Sequence, residues 1–137
     1  QYSDSLGIAY QIRDDLEDLR DPDGLELCVR RRPSVLLALA YETGDQEQRR
    51  RIERQWDPSA TEADREQARQ IVLDPEVERA ALRLMETYKA QAIGSLIALK
   101  NANLKGLLRR VMGKIFNDFE IMGCCNDRLP QRRTHHE

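Results

Sequence analysis

The chain has 137 residues, of which 40% are hydrophobic and 34% are charged, and its 22 basic and 24 acidic side chains leave a net charge of −2. This length is typical of one domain, and the balanced charge excludes a general electrostatic attraction to nucleic acid or anionic lipid, so an anionic ligand would need a local cationic site. No apolar run approaches the roughly 18 residues that span a bilayer, and the first residues lack a signal-peptide pattern, so we expect a soluble, cytoplasmic protein.

The first half of the sequence predicts two helices that bury apolar faces. In residues 4–20, near-helical spacing of Ile8, Ile12, Leu16 and Leu19 predicts a helix with a core-facing stripe. The following Asp-Pro-Asp-Gly stretch at 21–24 ends it. Pro33 or Ser34 then opens a nearly continuous apolar helix over 35–41, which Gly44 closes and which we expect at the centre of the fold.

The second half predicts only further helices. Asp45 can cap a polar helix to about Trp56, and Thr61 with Asp64 resembles a capping box for a helix to about Leu73. A long amphipathic helix follows Asp74-Pro75 and extends to about residue 99. The last helix follows a break at 101–103, with an apolar face that we extend to Phe119. The expected fold class is therefore an all-α helical bundle.

Four polar residues of the first predicted helix share one face, because Gln11, Asp14, Asp15 and Asp18 follow the i, i+3, i+4, i+7 spacing. Like charges one turn apart destabilise a helix by about 0.2–0.5 kcal/mol per pair. A hard cation such as Mg²⁺ would reverse this repulsion, and oxygen ligands without nearby His or Cys suit it. A solvated acidic face is the alternative, but the neutral Gln11 and the adjoining apolar stripe favour a cavity.

Residues 7–18, Gly-Ile-Ala-Tyr-Gln-Ile-Arg-Asp-Asp-Leu-Glu-Asp, resemble the second aspartate-rich motif of the trans-isoprenyl diphosphate synthases, also called polyprenyl synthetases. That motif is written G-x-x-F-Q-I-x-D-D-x-x-D, and Tyr10 replaces its Phe. Residues 32–40 are similar to the family's K-x-T-L-P segment, with Arg32 at the lysine and Ser34 at the threonine position. The glycine before the lysine is missing and the proline is displaced.

The resemblance implies the C-terminal part of the isoprenoid synthase fold, in which helices surround a deep cavity and two aspartate-rich motifs face each other across its mouth. The implied activity is Mg²⁺-dependent condensation of an allylic diphosphate with isopentenyl diphosphate. Carried over by position, Asp14 and Asp15 would be metal ligands and Asp18 a ligand or a neighbour of one. Gln11 would face the diphosphate, and Arg32 would contact its oxygens.

The sequence contains no second Asp-Asp pair, so the first aspartate-rich motif of the family is missing. We therefore expect residues 1–122 to be the C-terminal portion of such an enzyme, followed by a polar tail over 123–137, with little or no activity alone. Uncovered apolar faces predict association with the missing half or with another copy. The alternatives are a non-catalytic subunit or scaffold of the same fold and, disfavoured by the D-D-L-E-D pattern, a terpene cyclase.

The remaining chemistry-bearing residues give weaker signals. Cys28, Cys124 and Cys125 are odd in number and irregularly spaced, which is not typical of a disulfide framework and favours a reducing compartment. Trp56 and Tyr88 are predicted to pack in the core. The arginine run at 49–51 lies among acidic residues and predicts a solvated face of ion pairs.

Overall fold

The computed structural model describes residues 1–24 and 34–123, and in this part of the chain the protein is all-α, with no strand. The helices are α1 Tyr2–Asp18, α2 Val35–Thr43, α3 Gln46–Arg54, α4 Glu62–Val72, α5 Pro75–Ser95, a 3₁₀ turn Leu96–Ala98, α6 Ala102–Phe116 and α7 Phe119–Gly123. The described residues form two compact units, which divide between Ala92 and Ile93.

Helix α2 is the centre of the first unit and packs against α1, α3 and α4. Its sequence is almost wholly apolar, so it can bury several faces at once. Leu36 and Ala40 of α2 and Ile52 of α3 are fully or almost fully buried. The rest of this core comes from α1, α4 and α5, with Ile12, Ala68, Ile71, Val72, Val77 and Ala81.

Side chains cap the predicted helix starts. Ser34 accepts a hydrogen bond from the Leu37 amide at the start of α2. Thr61 and Asp64 form the expected capping box of α4, with hydrogen bonds in both directions. Asp45 forms a second capping box with Gln48 at the start of α3. Each cap satisfies backbone amides that have no partner inside the helix, which confirms these predicted boundaries.

The C-terminus of α2 is held by Arg49, which donates hydrogen bonds to the carbonyl oxygens of Tyr41 at 2.9 Å and Glu42 at 3.1 Å. A cation is favourable at this negative end of a helix. Gly44 closes α2 as predicted. Its φ of −72° suits any residue, but a Cβ there would lie 2.7 Å from the Ala40 carbonyl oxygen in the last turn of α2, so the close approach of the cap to this carbonyl favours glycine.

The second unit departs from the sequence prediction in two places. The long helix ends at Ser95, and residues 96–98 form a 3₁₀ turn instead of continuing to 99. Helix α6 ends at Phe116, because the next residue, the C-cap Asn117, has a left-handed φ of 51°. Phe119 therefore belongs to α7 and is 69% exposed, so its assignment to the apolar face of the last helix is wrong.

The aromatic predictions have opposite outcomes. Tyr88 is half-buried against the core of the first unit, as expected. Trp56 is 56% exposed, so the prediction that it packs in the core is wrong. Trp56 comes shortly after the end of α3, and its side chain lines a surface pocket.

The arginine run is largely exposed, as predicted. Arg51 pairs with Glu47 at 3.2 Å, one turn earlier on α3.

None of the helices in the described ranges is both long enough and apolar enough to cross a membrane.

Candidate functional site

Helix α1 carries the candidate site and is continuous from Tyr2 through Asp18. Its buried face consists of Ser5, Ala9, Ile12 and Asp15. Leu16 and Leu19 pack half-buried against the core, as predicted. Ile8 is 41% exposed, so its assignment to the core is wrong. Helical spacing places it on the same face as Ser5, Ile12 and Asp15, so its exposure depends on what packs against that end of α1 and not on the spacing.

Asp15 lies on the buried face, and only 7% of it is exposed. Its Oδ1 accepts a hydrogen bond from the Gln11 amide nitrogen at 3.0 Å. Its Oδ2 accepts one from the backbone amide of Val35 at 2.9 Å. Asp15 therefore joins α1 to the first residue of α2, next to the Ser34 cap.

The electrostatic environment of Asp15 explains how the helix tolerates an acidic residue near its own C-terminus. The Asp15 carboxylate contacts the N-terminal turn of α2, where the helix dipole is positive. Hydrogen bonds to a charged group contribute about 1.5–3 kcal/mol each, more than the repulsion between neighbouring aspartates. The packing of α2 thus offsets the cost that the sequence of α1 implies.

Asp14 points away from this buried contact, and 39% of its side chain is exposed. Its Oδ1 accepts a hydrogen bond from Arg13 Nη2 at 3.0 Å. Arg13 also lies 4.4 Å from the centre of the Tyr10 ring, and its Nε is 3.5 Å from Glu17. Arg13 and Glu17 therefore form an ion pair one turn apart, and Asp14 shares the same cation.

Arg13 remains a cation in this setting. Burial lowers the pKa of its guanidinium, but the hydrogen bond to Asp14 and the attraction of Glu17 and Asp14 outweigh burial and raise the pKa above its ordinary value. A permanent positive charge thus lies beside the acidic motif, where it balances part of the negative charge.

Asp18 ends α1 and is half-buried. Residues 19–21 form a turn and a bend, and the chain is helical again at residues 22–24. This segment packs closely against Asp18: a Cβ on Gly24 would lie 2.9 Å from both the Cα and the carbonyl oxygen of Asp18. Asp23 donates its backbone amide to Asp21 Oδ1 at 3.1 Å. The Asp-Pro-Asp-Gly stretch therefore folds back on the motif after ending the helix, and only glycine fits at its last position.

The acidic motif does not make a complete metal site by itself. In residues 1–24 and 34–123, no group of three or more His, Cys, Asp or Glu side chains is arranged to hold a metal ion. Mg²⁺ commonly takes one or two carboxylates and fills its remaining positions with water and substrate phosphates. A carboxylate has about four lone-pair sites, so the two hydrogen bonds of Asp15 leave some of them unused.

Gln11 and Arg32 are the two residues predicted to bind the diphosphate, and the structure describes Gln11 but not Arg32. Gln11 lies one turn before Asp15 on an exposed position of α1, and its amide is bonded to that carboxylate. Arg32, predicted to contact the diphosphate, lies outside the described residues, as do Cys28, Cys124, Cys125 and the tail beyond residue 123.

Lys89 and Gln55 are two of the buried polar side chains that sequence reasoning missed. Lys89 on α5 is 5% exposed, and its Nζ lies 2.9 Å from Glu86. The helical spacing that links Val77, Ala81 and Met85 continues to Lys89 and could have indicated a buried lysine. Gln55, 8% exposed, is the other, and its amide atoms have no hydrogen-bond partner within the described ranges.

A pocket of about 410 Å³ opens beside the start of α2. Its lining residues are Ser34, Leu37, Ala38, Tyr41, Glu53 and Trp56. The Tyr41 hydroxyl donates a 2.6 Å hydrogen bond to Glu53 across it, and this bond raises the pKa of the tyrosine. The wall is therefore mainly apolar, with one polar link at its rim.

No protein-family model, curated protein or solved structure gives a significant match to this chain.

Proposed function

We propose that this chain is the C-terminal, metal-binding portion of a trans-isoprenyl diphosphate synthase, an Mg²⁺-dependent prenyltransferase that condenses an allylic diphosphate with isopentenyl diphosphate. The observation that supports this most is the continuous course of α1 through the motif. A continuous helix keeps Gln11, Asp14 and Asp18 on one face. The isoprenoid synthase fold and a cytoplasmic location belong to the same proposal.

The three aspartates would have different roles in this proposal. Asp14, partly exposed, and Asp18, one helical turn later, would offer oxygens to Mg²⁺. Asp15 would hold α1 against the start of α2 and reach a metal through a remaining lone pair or through water. Arg32, two positions before Ser34 in the sequence, would complete the diphosphate contacts.

Catalysis by a trans-isoprenyl diphosphate synthase would be electrostatic, since metal ions and cationic side chains would stabilise the negative charge on the diphosphate leaving group. The sequence has a single Asp-Asp pair, so we expect the chain to bind Mg²⁺ and pyrophosphate without elongating a substrate. Partners that supply the first motif would be required for turnover.

Isothermal titration calorimetry tests the proposal. Pyrophosphate should bind only when Mg²⁺ is present, and D14A/D18A should abolish the heat. Asp4→Ala, which removes an exposed aspartate from the same helix, is the matched control and should bind like wild type. Mg²⁺-independent binding, or equal affinity in D14A/D18A and wild type, would contradict the proposal.

A second candidate is a non-catalytic subunit of the same fold. The engagement of both Asp15 oxygens in hydrogen bonds to Gln11 and Val35 favours it, because a carboxylate with a structural task needs no metal. The same titration discriminates the two: a folded chain with no Mg²⁺-dependent heat supports the subunit and excludes the metal site.

Self-association forms part of the proposal in either case. Ile8 and Tyr10 are 41% and 43% exposed on different sides of α1, and exposed apolar side chains favour protein contacts. Light scattering at rising concentration should show association that I8S/Y10S weakens. A wild-type chain that stays monomeric at high concentration would contradict it.

A further inference from the structure

Helix α6 concentrates positive charge in a chain whose net charge is −2. Its 15 residues include Lys105, Arg109, Arg110 and Lys114 and no acidic residue. Lys100 adds a further exposed cation shortly before the helix. This segment therefore provides the local cationic site that the overall composition does not.

An apolar stripe accompanies this charge on the surface. Leu104, Leu107 and Val111 follow the i, i+3, i+7 spacing of one helix face, and they are 40%, 52% and 40% exposed. The buried residues of α6 are Met112 and Gly113. The stripe is thus additional to the part of the helix that packs inside its own unit.

Cations border the stripe directly. Arg110 and Lys114 lie three and seven positions after Leu107, so they follow one edge of the stripe, and both are exposed. Arg110 Nε also donates to the Gly106 carbonyl at 3.3 Å, which holds its side chain along the helix. Apolar side chains with lysine and arginine at their edge are typical of helices that lie in a bilayer interface.

We propose that this surface, defined by Leu104, Leu107, Arg110, Val111 and Lys114, docks α6 flat onto an anionic lipid bilayer. Apolar side chains would enter the acyl boundary while the two cations contact anionic headgroups. A second copy of the chain fits less well, because two such faces would bring the cations of both copies together with no acidic residue on α6 to pair with them. A nucleic acid backbone would match the charge but not the apolar stripe.

Exposed residues elsewhere in the chain provide one control for the change in charge and one for the loss of an apolar side chain. Arg50 and Arg83 are exposed arginines of the first unit, and R50E/R83E changes the net charge as much as R110E/K114E does. Leu82 of α5 is 42% exposed, so Leu82→Ser is a control for Leu107→Ser.

The experiment is co-sedimentation of the full chain with vesicles of phosphatidylcholine, with and without phosphatidylserine. The chain should sediment with the anionic vesicles, weakly with the neutral ones, and less as salt rises. R110E/K114E should weaken binding at least about tenfold, since each cation near an anionic surface contributes about fivefold. Leu107→Ser should also weaken it, and both control variants should bind like wild type.

Three results would overturn the proposal. These are equal binding to neutral and anionic vesicles, equal loss of binding in R50E/R83E and R110E/K114E, and a wild-type chain that does not sediment but forms a dimer that Leu107→Ser dissociates. Circular dichroism of each variant confirms that it is folded, so a loss of binding reports on the surface itself.

Discussion

The backbone amide of Val35 donates a hydrogen bond to Asp15 Oδ2 at 2.9 Å, across 20 positions of sequence. This bond links the acidic motif to the first turn of the central helix. It also gives one of the three aspartates a measurable structural role, which can be separated from metal binding because it needs no ligand.

Asp15→Ala should lower the free energy of unfolding by about 1–3 kcal/mol, because it leaves the partly buried Val35 amide and the Gln11 side chain without their acceptor. Urea unfolding followed by circular dichroism measures this change. Asp14→Ala is the matched control: its pair with Arg13 is partly exposed, so its loss should cost less than about 1 kcal/mol. Equal destabilisation by both variants would refute the structural role of Asp15.

Leu36→Ala should destabilise the chain by about 2–5 kcal/mol, because the fully buried leucine lies in the middle of the first core and its removal leaves a cavity. The midpoint of urea unfolding should fall accordingly. Leu82→Ala, at a side chain that is 42% exposed, should change stability by no more than about 0.5 kcal/mol. If the two variants unfold together, the assignment of α2 to the centre of the core is wrong.

Gly44→Ala should destabilise by about 1–3 kcal/mol although its φ suits alanine, because the new Cβ would lie 2.7 Å from the Ala40 carbonyl oxygen and force the backbone to move. Gly94→Ala offers a contrast within α5. Nothing lies within 4 Å of its Cβ position, so alanine should stabilise the helix by about 0.5–1 kcal/mol. Thermal unfolding of both variants measures the predicted opposite signs.

Asp64 should make stability depend on pH. The hydrogen bonds from the Thr61 amide and hydroxyl lower the pKa of Asp64 from its ordinary value of 3.8. Because the folded-state pKa is the lower one, the contribution of Asp64 is present above pH 3.8 and is lost as the pH falls through the lowered value.

Asp64→Asn removes this titration. The variant should be less stable than wild type at neutral pH, and the difference should shrink in acid, as urea midpoints at stepped pH would show. Hydrogen bonds also lower the pKa values of Asp57 and Glu66, but both residues are present in each protein and cancel in the comparison. A difference that is constant down to acid would contradict the role of the carboxylate.

The helix boundaries followed closely from the sequence because their causes are local. Ser34, Asp45 and Thr61 each bond to an amide three positions later, so the capping signal lies within four residues of sequence. The end of α6 was missed because Asn117 adopts a left-handed conformation, which the sequence permits without requiring it.

The candidate site was only partly predictable. The spacing of Gln11, Asp14 and Asp18 on one helix face follows from the sequence, since α1 is continuous. The burial of Asp15 does not, because it depends on a backbone amide of α2 that has no side-chain signature. The exposure of Ile8 and Trp56 likewise depends on which neighbours pack against them.

By itself, the sequence determined that this chain is helical, where most helices begin and that Gln11, Asp14 and Asp18 share one face of α1, since periodicity and capping act over a few residues. Only the tertiary structure decided that Asp15 is buried as the acceptor for α2 while Asp14 pairs with Arg13 near solvent. The reason is physical: a carboxylate's environment is set by the groups that surround it in space, and those come from distant parts of the chain.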